Sequence, residues 1–182
     1  MRDEQEKLTT DYKVTNVKFS SRVHPPILEH MFSDIGLHYW AGNDRYILRH
    51  SNFVFTFMSS GSFLNVTGCL YMDQVNKAFL TLQSIFPHHN LTFGPIKCDT
   101  ISAVSKLRKN AFANILKSNS PSPQFKIKLY RNIPSRINVR LEKPLPTSPK
   151  MCANLFATGS ICIFGARKMA DIDTFLSHFS NM

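Results

Sequence analysis

The side chains that could hold a metal ion or act as nucleophiles include four cysteines and seven histidines. The cysteines are widely and irregularly spaced, without the paired Cys-x-x-Cys of zinc sites. His24, His88 and His89 have no cysteine or carboxylate company in the sequence. We therefore predict no metal site. Buried thiols are predicted at Cys69, Cys98, Cys152 and Cys162.

Catalytic patterns are also missing from the sequence. It has no Ser/His/Asp spacing of a hydrolase, no glycine-rich phosphate loop and no paired carboxylates in a motif context. The chain has only seven glycines. We predict that the protein is not an enzyme and that it uses neither a cofactor nor a small-molecule substrate.

Basic side chains are concentrated in the second half of the chain. Residues 1–93 hold eight Lys/Arg and eight Asp/Glu, whereas residues 94–182 hold fourteen against four. Residues 97–150 include twelve basic side chains, with Asp99 and Glu142 as the acids. Such a segment favours binding to a polyanion, above all nucleic acid. A solvated basic face or a protein docking site is the alternative interpretation.

The composition predicts a folded chain. Hydrophobic residues make up 43% of the sequence and 15 residues are phenylalanine, which suffices for a packed core. No apolar run approaches the roughly 20 residues of a membrane span, and the charged start lacks the apolar segment of a signal peptide. We expect an intracellular protein whose residues 1–11 form a flexible tail.

Two segments of the sequence resemble each other. Residues 53–68 and 151–165 both read as strand, Gly-Ser turn, strand and glycine, which is a hairpin pattern. After each closing glycine, apolar residues follow at positions 7, 10, 11 and 14, the spacing of an amphipathic helix. These residues are Val75, Ala78, Phe79 and Leu82 in the first segment and Ile172, Phe175, Leu176 and Phe179 in the second.

The preceding segments extend this similarity. Residues 14–17 and 101–104 look like strands, and each precedes a short stretch with helical spacing of apolar residues. We predict an α+β tandem repeat with one antiparallel sheet and helices on one face. Its units would span residues 12–93 and 94–182. Phe53, Phe55 and Phe57 alternate with Val54, Thr56 and Met58, and the sequence leaves open which set faces the helices.

The second predicted unit, residues 94–182, contains the most specific motifs. Residues 140–144 read Arg-Leu-Glu-Lys-Pro, and residues 155–167 read Leu-Phe-Ala-Thr-Gly-Ser-Ile-Cys-Ile-Phe-Gly-Ala-Arg. They are similar to the signature sequences of the TATA-box-binding protein family, and the resemblance extends from Tyr12 onward. It implies a saddle with a pseudo-twofold repeat, one curved antiparallel sheet and helices on the convex face.

The resemblance further implies binding to the DNA minor groove, with apolar wedges that kink the duplex. Phe156 falls on a wedge position, and Met58 or Phe57 takes that position in the first unit. Their partners match poorly: Ile133 or Pro134 in the second unit, and a residue near Asn43 in the first. The full set of implied DNA-binding residues is Phe156, Met58, Phe57, Ile133, Thr67, Asn65, Asn154, Cys162, Phe164, Val14, Arg140, Lys143 and Arg136.

Several of these positions depart from the family pattern. Thr67 is kept, whereas Phe164 stands where the family has a central threonine, and polar Asn65 and Asn154 replace apolar residues. Tyr12 and Thr100 stand at the asparagine positions, and Ser62 and Ser160 replace the signature lysines. The resemblance therefore indicates a divergent member.

By this resemblance, the protein would be a transcription initiation factor that binds double-stranded DNA. Its partners would be general transcription factors like IIA and IIB, or factors associated with the TATA-box-binding protein. It would act in the nucleus, or at the site of viral transcription if the protein is viral. The alternative is an adaptor of the same fold that has lost DNA binding and holds protein partners.

Overall fold

The computed structural model describes residues 11–42, 44–71, 73–108, 110–117, 125–130, 132–133 and 135–179. The strands are β1 (Tyr12–His24), β2 (Tyr39–Gly42), β3 (Arg45–His50), β4 (Phe53–Met58), β5 (Phe63–Cys69), β6 (Thr92–Phe93), β7 (Lys97–Lys106), β8 (Phe125–Leu129), β9 (Arg136–Leu141), β10 (Cys152–Phe156) and β11 (Ser160–Ala166). The helices are α1 (Glu29–Asp34), α2 (Gln74–Ile85), α3 (Ala111–Lys117) and α4 (Met169–Ser177), with a 3₁₀ turn at Pro87–His89.

The chain divides into two compact units. The middle unit is Asn16–Thr100, and the terminal unit combines Ile101–Met182 with Met1–Thr15. Strand β1 therefore contributes residues to both units. Each unit has the same order of elements: a long strand, a short helix, four strands and a longer helix, with β6 added in the middle unit.

In the middle unit the strands are antiparallel neighbours in the order β2, β3, β4, β5 and β1, and β6 pairs with the end of β1. Alternation along β4 sends Phe53, Phe55 and Phe57 into the core, where the latter two are 0% exposed. The ring of Phe32 in α1 lies 5.5 Å from the ring of Phe57. The phenylalanine set therefore faces the helices, and the set with Val54, Thr56 and Met58 faces away.

The apolar stripe predicted for the two longer helices is confirmed. All eight side chains that define it are buried, and α2 packs on β5 as α4 packs on β11. The shorter helices also form near the predicted apolar pairs, at Glu29–Asp34 and Ala111–Lys117. Because the burial follows a 3.6-residue period, this part of the fold could be inferred from spacing alone.

The closing glycine of each hairpin makes a close backbone approach. Gly68 has φ +92°, and a Cβ there would lie 2.0 Å from the carbonyl oxygen of Asn52. Gly165 has φ +83°, and its Cβ would lie 3.0 Å from the carbonyl oxygen of Lys150. Both positions need a left-handed backbone and no side chain, which only glycine supplies without strain.

In the terminal unit the strands are antiparallel neighbours in the order β7, β11, β10, β9 and β8. The core includes Phe125 of β8 and Phe179 beyond α4, whose ring centroids are 4.7 Å apart. The Ser105 hydroxyl of β7 donates a hydrogen bond of 2.7 Å to the backbone carbonyl of Asp11. The first described residue is thus fixed to a strand that lies far along the sequence.

A buried carboxylate secures the start of α4. Asp171 is 8% exposed and accepts hydrogen bonds from the hydroxyls of Thr147, at 2.6 Å, and Ser148. Ser148 in turn accepts a hydrogen bond of 2.8 Å from the backbone N–H of Arg167. Burial raises the pKa of Asp171, but the hydrogen bonds it accepts outweigh this effect and leave that pKa lowered. The loop before β10 is therefore tied to the helix through an ionised side chain.

Candidate functional site

In each unit, the part of the sheet that the unit contains has one face against the helices and one face away from them, which we call the open face. In β9, Ile137 and Val139 are buried, so Arg136, Asn138 and Arg140 lie on the open face. Residues directly opposite on paired antiparallel strands share a face. The pairing therefore assigns open-face residues across both units.

Four basic side chains lie together on the open face of the terminal unit. Lys126 of β8 is opposite Arg140, and Lys128 is opposite Asn138. Arg136, two residues from Asn138 on β9, lies on the same face. Glu142 forms an ion pair of 3.2 Å with Lys126. We call Lys126, Lys128, Arg136 and Arg140 the basic cluster.

Arg136 has the most specific surroundings in the basic cluster. Its guanidinium carbon lies 4.1 Å from the ring centroid of Tyr130, a cation–π geometry. Its Nε is buried without a hydrogen-bond partner among the described residues. Arg136 is opposite Phe156, the half-buried wedge candidate at the end of β10. A guanidinium stacked and oriented in this way can bind an anionic oxygen beside an aromatic ring.

The centre of this open face carries amides and an exposed ring. The Asn138 side-chain N–H₂ donates a hydrogen bond of 3.1 Å to the Asn154 side-chain oxygen. Cys162 is opposite Asn154, and 40% of Phe164 at the end of β11 is exposed. The face thus offers amide groups between apolar surfaces, which suits the edges of stacked bases.

The wedge candidates of the middle unit are separated by strand alternation. Met58 is 40% exposed at the end of β4, whereas Phe57 is 0% exposed and lies in the core. The alternative that placed Phe57 on the surface is wrong, because its strand face packs on α1. Thr67 and Asn65 are half-buried open-face residues of β5.

Lys18, Thr56 and Met58 line a cavity of about 470 Å³ on the open face together with Asn65 and Thr67. Asp44 and Arg45 complete its lining. Three candidates predicted from the sequence, Met58, Asn65 and Thr67, thus lie around one concave surface.

The remaining candidates differ in position. Ile133 is 38% exposed in the turn between β8 and β9. Val14 is half-buried on β1, and Lys143 is exposed in the loop that follows β9, beyond the paired part of the strand. Pro134 and Asn43 lie outside the described residues.

The three arginines of the middle unit all lie on its open face, which a count along the sequence could not reveal. Arg22 is opposite exposed Phe63 on the open face, and Arg45 and Arg49 lie on the open face of β3. By contrast, Glu29 and Asp34 belong to α1 on the other side. Residues 1–93 have no net charge in total, but they still form an arginine-rich open face.

Burial of the cysteines is only partly as predicted. Cys69 is fully buried, and burial raises the pKa of its thiol. Cys152 and Cys162 are half-buried because they lie on the open face, as their pairing with Phe164 and Asn154 indicates. Within the described ranges, no group of three or more His, Cys, Asp or Glu side chains could hold a metal ion. The same part of the chain has no helix with the length and apolar character needed to cross a membrane.

Comparison with known proteins finds a match in structure but none in sequence. No protein-family profile and no curated protein matches the sequence. Among solved structures, Methanococcus jannaschii TBP matches with a TM-score of 0.70 and 15% identity, over 94% of this chain and 97% of that chain. The chain has the TBP fold. The predicted α+β, TBP-like fold class is thereby confirmed.

At this identity the match establishes the TBP fold and no more. Few side chains can therefore be matched to those of the archaeal TBP. The open face has to be interpreted from its own residues. Two surfaces on this fold are candidates for binding. One is the basic cluster with Phe156 in the terminal unit, and the other is formed by Met58, Asn65 and Thr67 in the middle unit.

Proposed function

We propose that this protein binds double-stranded DNA through the open faces of its units, in the minor groove, and bends it during transcription initiation. The observation that carries the proposal is the basic cluster beside Phe156 on a TBP fold. Minor-groove proteins of this kind combine cations for the phosphates with apolar side chains that part base steps. The terminal unit supplies both on one face.

The basic cluster would bind phosphates. Lys126, Lys128 and Arg140 are exposed, and none of them is buried by the packing of the unit. Cations that neutralise phosphates release counterions from the duplex, so affinity falls steeply with salt. Arg136 differs because it is stacked on Tyr130 and adjoins Phe156, a position suited to a phosphate next to an opened step.

Phe156 and Met58 would act as the wedges. Each lies at the end of the strand that leads into the Gly-containing hairpin turn of its unit. Unstacking a base step costs about a few kcal/mol, which contacts with bent DNA must offset. Asn65, Thr67 and Asn154 would then face base edges, where the minor groove offers mainly acceptors.

A mobility-shift titration over a range of salt concentrations tests the proposal. We expect the logarithm of the association constant to fall linearly with the logarithm of salt concentration. Arg140→Ala should weaken binding and reduce the slope by about 0.9. Lys77→Ala on α2 is the matched control, because it removes an exposed cation from the helix side. Binding that is indifferent to salt, or equal effects of both substitutions, would contradict the proposal.

The two units should contribute unequally. The terminal unit has the basic cluster, whereas the cations of the middle unit include Lys18, which lies 4.0 Å from Asp99. We therefore expect charge removal in the terminal unit to cost more affinity than removal of Arg45 or Arg49. General transcription factors, or factors that associate with TBP, would bind the hairpin turns and helices, and the site of action would be the nucleus or a site of viral transcription.

An adaptor without DNA binding is the second candidate, and exposed apolar groups on the helix side favour it. Leu80 on α2 is 65% exposed and Tyr71 just before that helix is 61% exposed. Lys77 is the sole basic residue of α2, so this helix is poorly suited to binding a polyanion. Affinity purification with and without nuclease separates the candidates. Partners that persist after nuclease, with purified protein that ignores DNA, would favour the adaptor.

A further inference from the structure

The only tryptophan of the chain lies on the open face at the outer strand of the middle unit. Trp40 of β2 is opposite Ile47 of β3 and is 53% exposed. Its indole extends along the strand over Gly42, where an added Cβ would lie 1.9 Å from the indole Cη2 atom. The missing side chain at Gly42 therefore lets a flat aromatic ring lie against the backbone and remain half accessible.

Two arginines lie on the same open face as this ring. The Arg45 guanidinium carbon lies 5.8 Å from the indole centroid, and Arg49 follows on the same face of β3. A cavity of about 570 Å³ opens beside them, a volume typical of small-molecule sites. Among the residues that the structure describes, its lining consists of His38, Tyr39, Trp40, Arg45, Ile47 and Arg49 and includes no carboxylate.

We propose that this cavity binds an unpaired nucleobase of single-stranded nucleic acid. Trp40 would stack on the base, and Arg45 and Arg49 would bind the phosphates on either side. An exposed aromatic ring beside cations is the arrangement by which proteins hold single strands, since every base has a face that can stack. Bases inside a duplex offer no free face, so stacking on Trp40 requires an unpaired base, although Arg45 also lines the cavity beside Met58.

An acidic peptide is the competing occupant, and the structure favours the nucleobase. Carboxylates would pair with Arg45 and Arg49 but would gain nothing from a flat indole held over a glycine. Asp44 directly precedes Arg45 and lines the neighbouring cavity, so it would repel carboxylates and phosphates alike. The ring and its glycine are thus the features that separate the two occupants.

Trp40 itself reports on occupancy, because no other tryptophan contributes to fluorescence. The full chain is titrated with a ten-residue deoxyuridine oligonucleotide, and separately with ten-residue oligouridine, while tryptophan emission is recorded. We expect saturable quenching by at least one strand, and the difference between them identifies the preferred sugar. Failure of both strands to quench up to about 100 μM at low salt would overturn the proposal, as would equal quenching by poly-glutamate.

Two variants locate the effect, with labelled oligonucleotides used to measure affinity. Trp40→Ala should weaken single-strand binding at least about fivefold, the lower end of what one stacked base contributes. Gly42→Ala keeps every ring and charge but displaces the indole, so it should weaken binding as well, with circular dichroism to verify folding. Tyr71→Ala removes an exposed aromatic ring elsewhere and should have no effect. Full affinity in both the Trp40 and Gly42 variants would refute the site.

Duplex measurements keep this inference separate from the proposed function. Arg140→Ala should reduce duplex affinity and leave the quenching of Trp40 by single strands unchanged. If duplex binding is absent but quenching persists, the proposed function fails and the nucleobase site stands. If Arg140→Ala removes the quenching instead, the nucleobase site is wrong.

Discussion

The guanidinium of Arg136 stacks on the ring of Tyr130, with 4.1 Å between the guanidinium carbon and the ring centroid. Tyr130 follows β8 and Arg136 begins β9, so the contact spans the turn between these two strands. The stacked geometry restricts the long arginine side chain before any ligand arrives. Such restriction lowers the entropic cost of forming a phosphate contact.

Replacement of Tyr130 tests this restriction. Tyr130→Leu should weaken duplex binding severalfold, because a cation–π contact at a partly exposed site contributes about 0.5 to 2 kcal/mol. Tyr130→Phe keeps the ring and should retain affinity. Fluorescence anisotropy with a labelled duplex measures both. Equal losses in the two variants would show that the hydroxyl, and not the ring, is important.

Removal of the wedge should affect bending more than charge contacts. Phe156→Ala should reduce the bend angle in a circular-permutation or energy-transfer assay, while the salt slope stays close to that of the parent protein. The reason is that the ring contacts bases and not phosphates. Leu129→Ala, which removes a side chain that is 62% exposed on the edge strand β8, is the control. An unchanged bend in the Phe156 variant would disprove a wedge at this position.

The open-face cysteines provide a footprint. Cys152 and Cys162 are half-buried, so iodoacetamide should alkylate them in the free protein, and a saturating duplex should slow that reaction severalfold. Cys69 serves as the internal control, since burial and its raised pKa both oppose thiolate formation. Mass spectrometry of the separate peptides gives each rate. Unchanged alkylation of Cys162 at saturating duplex would place the DNA elsewhere.

The tie between Asp171 and Ser148 predicts a pH-dependent stability. The folded pKa of Asp171 lies below its ordinary value of 3.8, so its contribution is fully present above that pH and is lost as the pH falls through the folded pKa. Asp171→Asn should lower the free energy of unfolding by about 1 to 3 kcal/mol at pH 7.

Urea denaturation at pH 7 and at pH 3 checks the sign of this effect, because the difference between the two proteins should narrow in acid. The exposed Asp173 of the same helix, changed to Asn, should behave like the parent protein at both values. A difference between Asp171→Asn and the parent that grows in acid would contradict the assignment.

Glycines with a left-handed backbone should be intolerant of side chains in proportion to their contacts. Gly36 has φ +64° with no atom within 4 Å of a built Cβ, so Gly36→Ala should cost only the left-handed strain of about 1 to 2 kcal/mol. Gly68→Ala adds a clash with the Asn52 carbonyl and should destabilise by ~3 kcal/mol or more. Thermal denaturation compares them, and equal losses would mean that the backbone near Asn52 yields freely.

Much of the fold could be predicted because its signals are local. The apolar stripe of α2 and α4 follows a helical period, and the turn and closing glycines mark the hairpins. These patterns arise from backbone geometry within a few residues. The face of β4 could not be assigned, because both alternating sets are apolar enough to be buried. Packing of Phe57 against Phe32 decides it, and that contact joins residues distant in sequence.

The candidate site was less accessible to sequence analysis. A count of charges over residues 1–93 gives zero, yet the arginines of the middle unit lie on its open face and the acids of α1 on the other side. Trp40 could not be identified as a site residue from the sequence, because one tryptophan in a four-residue strand forms no periodic pattern. Its relation to Gly42 and Arg45 depends on the pairing of β2 with β3. A Gly two residues after a Trp, opposite an Arg, would have been the available signal.

The terminal unit takes residues from both ends of the chain, with Asp11 bound to Ser105 and the remainder beginning at Ile101. During synthesis the first of these residues leave the ribosome before their neighbours in β7 through α4. The middle unit is complete while its counterpart still waits for most of its strands. Contacts across so long a separation are slow to form. We therefore expect the surface with the basic cluster to form after the surface of the middle unit, and translation arrest before β8 would yield a chain that has only the latter surface.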